Sequence, residues 1–445
     1  MRSLPLLALT CALNLALALP AAAQPAARAQ EVVDRAQGLP QAQRDAKLKK
    51  LASSPFVFFR GTAFLSWRDT LQDARLQRFG GAPGTRVWVT GDLHPENYGT
   101  FGLPGGDVGY GLNDFDEALV ADYQVDLWRM ATGIELAGRE LHVGRKKRAQ
   151  AVERFARGYL EALDECAGPG NQRELNPRLS RRALRSSLED FRDDVERDAS
   201  RKDMLKAWCR GQNGQRALDL RLDDLEPATP SETYRVLRSF RRYVSRAQVP
   251  VAGFYRVKSL ARRVAAGTGS LGARRYYLLV EGPSADDDDD LILDVKAQPE
   301  PAGLSHLDAL TRAGLAQRFP SRGARVAFAE RALLGPQRAD PHLGWLQVGS
   351  TSYSVRQRSP FKGSFPLKKS HLRSAAEQWG RLLGYAHARA DEDADPTLVP
   401  HSLEDEVLAR ARYRQAGFAR LLVKVSKEAA DRTEADRRAL ESLLP

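Results

Sequence analysis

The stretch Gly91-Asp92-Leu93-His94-Pro95-Glu96-Asn97, followed by Asn113-Asp114-Phe115-Asp116-Glu117, constrains the fold more than any other part of the chain. Two clusters of carboxylate and amide oxygens this close together can share a site only if the intervening chain folds back on itself. An Asp, an Asn five residues on and then an Asp-Phe-Asp cluster is the arrangement of a phosphoryl-transfer site. One Asp orients an attacking hydroxyl, and the Asn and second Asp hold magnesium against phosphate groups. Magnesium selects hard oxygen ligands of this kind and keeps several waters. The local pattern supplies the fold-back. Thr85 to Thr90 reads as a short strand delivering the Gly91-Asp92 loop, and Tyr98 to Phe101 and Val108 to Leu112 as a hairpin around Pro104-Gly105-Gly106. Apolar spacing from Asp122 to Glu140 (Val125, Leu127, Trp128, Met130 and Ile134) is helical.

A second constellation lies far downstream. Gly267-Thr268-Gly269-Ser270-Leu271-Gly272 matches G-x-G-x-x-G, a pattern shared by dinucleotide folds and kinases. A dinucleotide loop opens a helix, whereas Arg274 to Val280 is rich in strand formers, so the loop is expected to join two strands. Backbone N–H groups approach a phosphate closely where side chains are absent. Leu291-Ile292-Leu293-Asp294-Val295-Lys296 then resembles a strand whose lysine reaches phosphates. An edge-strand gatekeeper is the alternative for Lys296. Glu330, on a helix from Arg322 to Leu334, is the expected carboxylate partner of Lys296.

The 445 residues give room for two or three domains' worth of core. Residues 1–23 read as a secretory signal peptide cut after Ala23, with an uncleaved anchor as the alternative. The mature protein is therefore expected to be exported, periplasmic or secreted, with no membrane span after cleavage. Residues 24–50 form a leader and helix, and 51–145 carry the paired oxygen clusters. Residues 146–250 read as a helical insert, 251–360 as a sheet with the glycine loop and Lys296, and 361–445 as closing helices. Inside the insert, helices are expected over Lys146 to Leu163, Ser180 to Arg197, Arg201 to Arg210 and Ser231 to Arg246. The five consecutive Asp residues 286–290 are expected to form a solvated hairpin tip. Cys166 and Cys209 either close a loop of about 40 residues, worth roughly 3 to 4 kcal/mol, or stay separate buried thiols. The net charge of +12 favours anionic partners, although most basic residues are interleaved with acidic ones. No aromatic–basic stripe points to nucleic acid.

Gly-Asp-Leu-His-Pro-x-Asn with Asp-Phe-Asp-Glu resembles the catalytic loop and metal motif of aminoglycoside phosphotransferases and other small-molecule kinases. Phe58-Phe59-Arg60-Gly61, Asp126-Leu127-Trp128-Arg129 and Tyr353-Ser354-Val355-Arg356-Gln357, in this order with the motifs above, resemble the bacterial family with domain of unknown function 2252. The resemblance implies an α+β, kinase-like two-lobe fold in circularly permuted order with a large helical insert. It implies Asp92 and Lys296 as catalytic, and Asn97, Asp114 and Asp116 as magnesium ligands. Gly267, Gly269, Ser270, Gly272, Lys296 and Glu330 would hold ATP or another nucleoside triphosphate. His94 would support the loop by hydrogen bonding and Asp126 would anchor it, while Arg60 and Arg356 are either anion contacts or ion-pair residues. The implied activity is transfer of a phosphoryl group to a hydroxyl of a small molecule or protein. An exported, non-catalytic nucleotide- or anion-binding protein is the opposing expectation.

Overall fold

A computed structural model describes residues 24–444 except 169–172, 174–175, 177, 213–214, 247–253, 265–272 and 285. The glycine loop with Gly267, Gly269, Ser270 and Gly272, and the signal segment, lie outside the described residues. Helix and sheet are mixed, as expected for an α+β chain.

The larger core is helical. Gln124–Glu140, Arg145–Cys166, Leu372–Arg389 and Gln415–Leu443 pack around Trp88, Tyr123, Tyr159 and Trp379, all fully buried. Glycines permit the closest approach: a Cβ on Gly380 would meet the Phe155 carbonyl at 2.1 Å. Helix Gln24–Ala36 lies against Gln415–Leu443, where Arg28 Nε donates to Asp436 at 2.7 Å. Two small antiparallel sheets sit on this body. Arg86–Val89 pairs with Leu119–Asp122, and Tyr98–Gly102 pairs with Val108–Leu112 and with Gly363–Ser364.

The second core is a six-stranded antiparallel sheet. Its order is Gly344–Val348, Thr351–Gln357, Leu291–Ala297, Arg275–Val280, Val257–Arg263 and Leu225–Pro227. Successive side chains point to opposite faces, and the register separates the two faces cleanly. Leu291, Leu293, Val295, Leu278, Val280, Tyr353 and Val355 pack beneath helix Pro230–Val244 through Val236, Phe240 and Tyr243. On the other face Tyr277, Leu279 and Ile292 meet Met204, Leu205 and Leu218. That face also carries Arg275, Asp294, Lys296, Ser354 and Arg356, brought side by side by the pairs Asp294↔Arg356, Lys296↔Ser354 and Lys296↔Arg275. Helix Arg322–Leu334 bridges the sheet and the helical body, with Phe328 against Trp88 at 5.4 Å.

Several expectations need correction. Residues 146–250 are not wholly helical: Cys209–Gln212 and Gln215–Leu218 form a hairpin, and Leu225–Pro227 joins the large sheet. The helix expected from Ser180 to Arg197 is two, Arg178–Arg182 and Ser187–Asp198. Positive φ at Ser186, 50°, marks the break. The five-Asp run is not a free tip. Lys258, Lys202 and Arg216 pair with Asp287 and Asp288, and Asp290 is fully buried against Lys258. Cys166 and Cys209 are separate buried thiols in different clusters. Among the described residues no helix is long and apolar enough to cross a membrane.

Candidate functional site

The site is assembled where the Gly91–Asp92 turn, the Asn113–Glu117 segment and the charged face of the large sheet meet. Strand Arg86–Val89 delivers the turn, and its backbone is held from below. Asp126, fully buried on helix Gln124–Glu140, accepts from the N–H of Thr90 at 2.7 Å and of Gly91 at 2.9 Å. Behind it His387 Nε2 lies 3.4 Å away, and His387 Nδ1 bonds the Tyr159 hydroxyl at 3.0 Å. The anchoring role expected for Asp126 has this geometry. Gly91 is required here, because its φ is +78° and a Cβ would meet the Glu117 carbonyl oxygen at 2.4 Å. That approach presses the two oxygen clusters together.

Asp92 points into the site with its carboxylate held by Arg129. Nε of Arg129 donates at 2.8 Å, and Nη2 closes a second contact to the same oxygen. Arg129 is itself buried, bonded to Ser66 Oγ at 2.6 Å and the Phe59 carbonyl at 2.9 Å, and stacked over Phe59 at 4.1 Å. Burial raises the Asp92 pKa to about 6 against the opposing pull of Arg129. Arg129 lies within the Asp126-Leu127-Trp128-Arg129 motif, so the signal for it was present without its role. Asn97 is buried, and its Nδ2 donates to the Asp92 carbonyl at 2.8 Å, leaving Oδ1 as an available oxygen donor. His94 is buried edge-on to Phe56 at 5.9 Å, and its Nδ1 has no hydrogen-bond partner. The hydrogen-bonding support expected of His94 therefore does not run through Nδ1, and packing against Phe56 holds that side of its ring. Arg60 is an ion-pair residue, paired with Glu96.

The sheet contributes Lys296. Its ammonium is ion-paired with Asp116, 180 residues away in sequence, and Gln298 Nε2 donates to the other Asp116 oxygen at 2.8 Å. Burial opposes the charge on Lys296, but Asp116 and Asp114 outweigh it and raise its pKa. Asp116 is correspondingly held down to about 2, because Lys296 overcomes the burial that would raise it. The expected pairing of Lys296 with Glu330 is not formed. Glu330 instead lies 4.0 Å from Arg356, and burial lifts its carboxyl to about 7. Arg356 Nη1 also donates to the Asn113 carbonyl at 3.3 Å. Glu117, half-buried and lifted to about 7 chiefly by desolvation, accepts from the N–H of Ala302 at 2.5 Å. Arg325 donates to the Asp116 carbonyl at 2.7 Å and to the Ala118 carbonyl, tying the acidic segment to helix Arg322–Leu334.

Unlike Asp92, Asp116 and Glu330, Asp114 has no cation bonded to it among the described residues. Among the described residues the only hydrogen bond to its side chain is a long 3.5 Å contact from the Asp116 N–H. Its negative field nonetheless reaches Asp92, Lys296, Glu330 and Arg356. Among the described residues no three His, Cys, Asp or Glu side chains converge as a metal site. An uncommitted carboxylate on Asp114 and an amide oxygen on Asn97 nevertheless fit a cation that keeps most of its water, which is how magnesium binds. Asp116 is already spent on Lys296 and Gln298.

A family model agrees with these motifs: residues 40–442 fit the model described as an uncharacterized protein conserved in bacteria, DUF2252. The chain belongs to this family. No curated protein and no solved structure matches it. The family's match spans the oxygen clusters, the large sheet and the closing helices together, so the site described here lies wholly inside it.

Proposed function

We propose that this protein is a kinase-like phosphotransferase whose two lobes occur in permuted sequence order. The observation that carries the reading is the contact of Lys296 with Asp116, which joins the charged face of the sheet to the Asp92, Asn97 and Asp114 oxygens in one centre. The order of the sheet supports it as well. Strands before and after the glycine loop, the Lys296 strand, a bridging helix and a final hairpin follow one another as in the nucleotide lobe of a kinase. Permutation is compatible with the helices near the two chain ends lying side by side.

Asp92 would accept the proton of the acceptor hydroxyl as its oxygen bonds to phosphorus and the phosphoanhydride bond opens. A base near its own pKa at working pH suits that task. Arg129 fixes the carboxylate's direction and keeps it ionised above about pH 6. Lys296, held charged by Asp116, would exchange part of that pairing for a phosphate oxygen. Magnesium bound through Asp114 and Asn97 would offset negative charge on the transferring phosphoryl group.

The test is phosphoryl transfer by the full mature chain with magnesium, comparing wild type with Asp92→Asn and Asp114→Asn. Both substitutions should remove transfer. Phosphate-ligand binding with no transfer under any condition would leave an exported, non-catalytic anion-binding protein.

A further inference from the structure

Beside the proposed centre lies a cavity of about 510 Å³, within the range of small-molecule sites. It shares Asn113, Glu330 and Arg356 with that centre. Its other walls come from the Tyr98–Gly102 and Val108–Leu112 hairpin, the segment 357–362, and Arg201 and Trp208 of the region between the lobes. We propose that this cavity holds the body of the phosphoryl donor, and that the donor is a linear polyphosphate chain and not a nucleotide. The proposal rests on the phosphotransferase reading for the word donor, and on the cavity alone for the chemistry of the ligand.

Among the described residues the sheet side of the cavity is wrong for a purine ring, and the apolar lining, such as Phe101, Leu103 and Phe361, lies on the opposite hairpin and the segment 357–362. Two residues before Lys296 on the same face stands Asp294, ion-paired to Arg275 with Nε 2.6 Å from Oδ1, so a salt bridge occupies the part of the sheet where a base would need an apolar platform. The Trp208 ring is already engaged. The Arg358 guanidinium covers it at 4.4 Å, and Tyr277 meets it at 5.4 Å.

The walls are suited to distributed negative charge. Seven Arg and Lys side chains line the cavity against three carboxylates, Asp294, Glu330 and Asp340. Arg275 is matched by Asp294, Arg263 by Asp224 and Arg356 by Glu330. Among the described residues Arg201, Arg338, Arg358 and Lys362 form no ion pair. Arg338 is the most telling of them. It is 4 % exposed, and its hydrogen bonds go only to neutral oxygens, the Ser180 hydroxyl and the Tyr110 carbonyl. Burial and the nearby Arg389 pull its pKa down to about 9. Lys362 is exposed at the rim of the cavity. A guanidinium buried without a counter-ion is costly, and a bound polyanion supplies one. The four cations stand on three parts of the wall, Arg201, Arg338 and the segment 357–362 with Arg358 and Lys362, which fits a ligand charged along its length and not at one end. Transfer from such a chain balances simply. The terminal phosphoanhydride P–O bond breaks, the acceptor O–P bond forms, the acceptor proton passes to Asp92, and the shortened chain leaves with the bridging oxygen.

The experiment is calorimetric titration of the full mature chain with tripolyphosphate, a longer polyphosphate, ATP and adenosine. Arg338 is too buried for its removal to be informative, so Arg358→Gln and Lys362→Gln are used, with thermal melts confirming that each folds. Polyphosphate should bind with affinity rising with chain length, and each variant should weaken it ~10-fold, the loss of one charge-assisted contact. Adenosine should not bind, and ATP should bind no tighter than tripolyphosphate. Adenosine binding, ATP binding tighter than tripolyphosphate, or wild-type affinity in both variants would overturn the proposal. Retained polyphosphate binding with transfer unaffected by Asp92→Asn would instead sink the phosphotransferase reading and leave the cavity assignment standing.

Discussion

Replacing Glu330 with Gln should stabilise the protein more at pH 8 than at pH 5. Glu330 is 6 % exposed and, among the described residues, has only Arg356 nearby as a counter-ion, at 4.0 Å. Its carboxyl titrates near 7 in the folded protein against an ordinary 4.5, chiefly because burial disfavours the charge. Between those two pH values the unfolded chain has released a proton that the folded chain still binds. Stability therefore falls as pH rises through this window. At about 1.4 kcal/mol for each tenfold change in proton affinity, the gap amounts to roughly 3 kcal/mol lost between about pH 4.5 and 7. Gln keeps the shape and has no such slope. Loss of the Arg356 contact adds a cost of its own, so the diagnostic quantity is the change in the mutational effect between the two pH values. Urea denaturation of both proteins at pH 5 and pH 8 should show Gln gaining about 2 to 3 kcal/mol on the wild type over that interval. An equal mutational effect at both pH values, or a larger penalty at pH 8, would refute the argument.

Further outcomes follow from the contacts at the centre. Lys296→Met removes the cation that holds Asp116 down to about 2. Breaking this part-buried pair should cost about 2 to 3 kcal/mol at pH 7, below the ~3–5 of a fully buried one. Because the folded Asp116 pKa is depressed, that deficit should shrink in denaturation curves as pH falls from about 4 toward 2. Gly91→Ala places a Cβ 2.4 Å from the Glu117 carbonyl at a φ of +78°, so the melting temperature should fall by the equivalent of ~2 kcal/mol or more; a change under ~0.5 would contradict the packing described. Asp126→Asn weakens the acceptor for the Thr90 and Gly91 N–H groups, and should cost about 3 kcal/mol in chemical denaturation together with any transfer activity.

The parts of this fold legible in the sequence were those determined by short-range pattern. The strand before Gly91, the hairpin at Pro104-Gly105-Gly106, the Lys296 strand and the helix Arg322–Leu334 all follow from period and turn residues. What was not legible depends on which distant charges meet. Glu330 was the expected partner of Lys296 because it sits on the right helix, yet Asp116 reaches the ammonium and Glu330 is left to Arg356. No periodicity could distinguish these, since both acids lie more than 30 residues from the lysine. The cations that disarm the five-Asp run come from Lys202, Arg216 and Lys258, which a reading of the run alone treats as solvent. The cavity escaped for the same reason, as its basic residues are drawn from segments spread from Arg201 to Lys362. Gln298 had a readable signal: two residues past Lys296 and just beyond the end of its strand, it shares that lysine's carboxylate.

The most direct test of the centre needs no knowledge of the acceptor, because water can stand in for the hydroxyl. Release of phosphate from tripolyphosphate or ATP should be measured with and without magnesium for wild type, Asp92→Asn and Asp114→Asn. Magnesium-dependent release that falls ~10²-fold or more in Asp92→Asn, with the metal dependence lost in Asp114→Asn, is the predicted result. Release at the same rate in all three proteins would contradict the assignment.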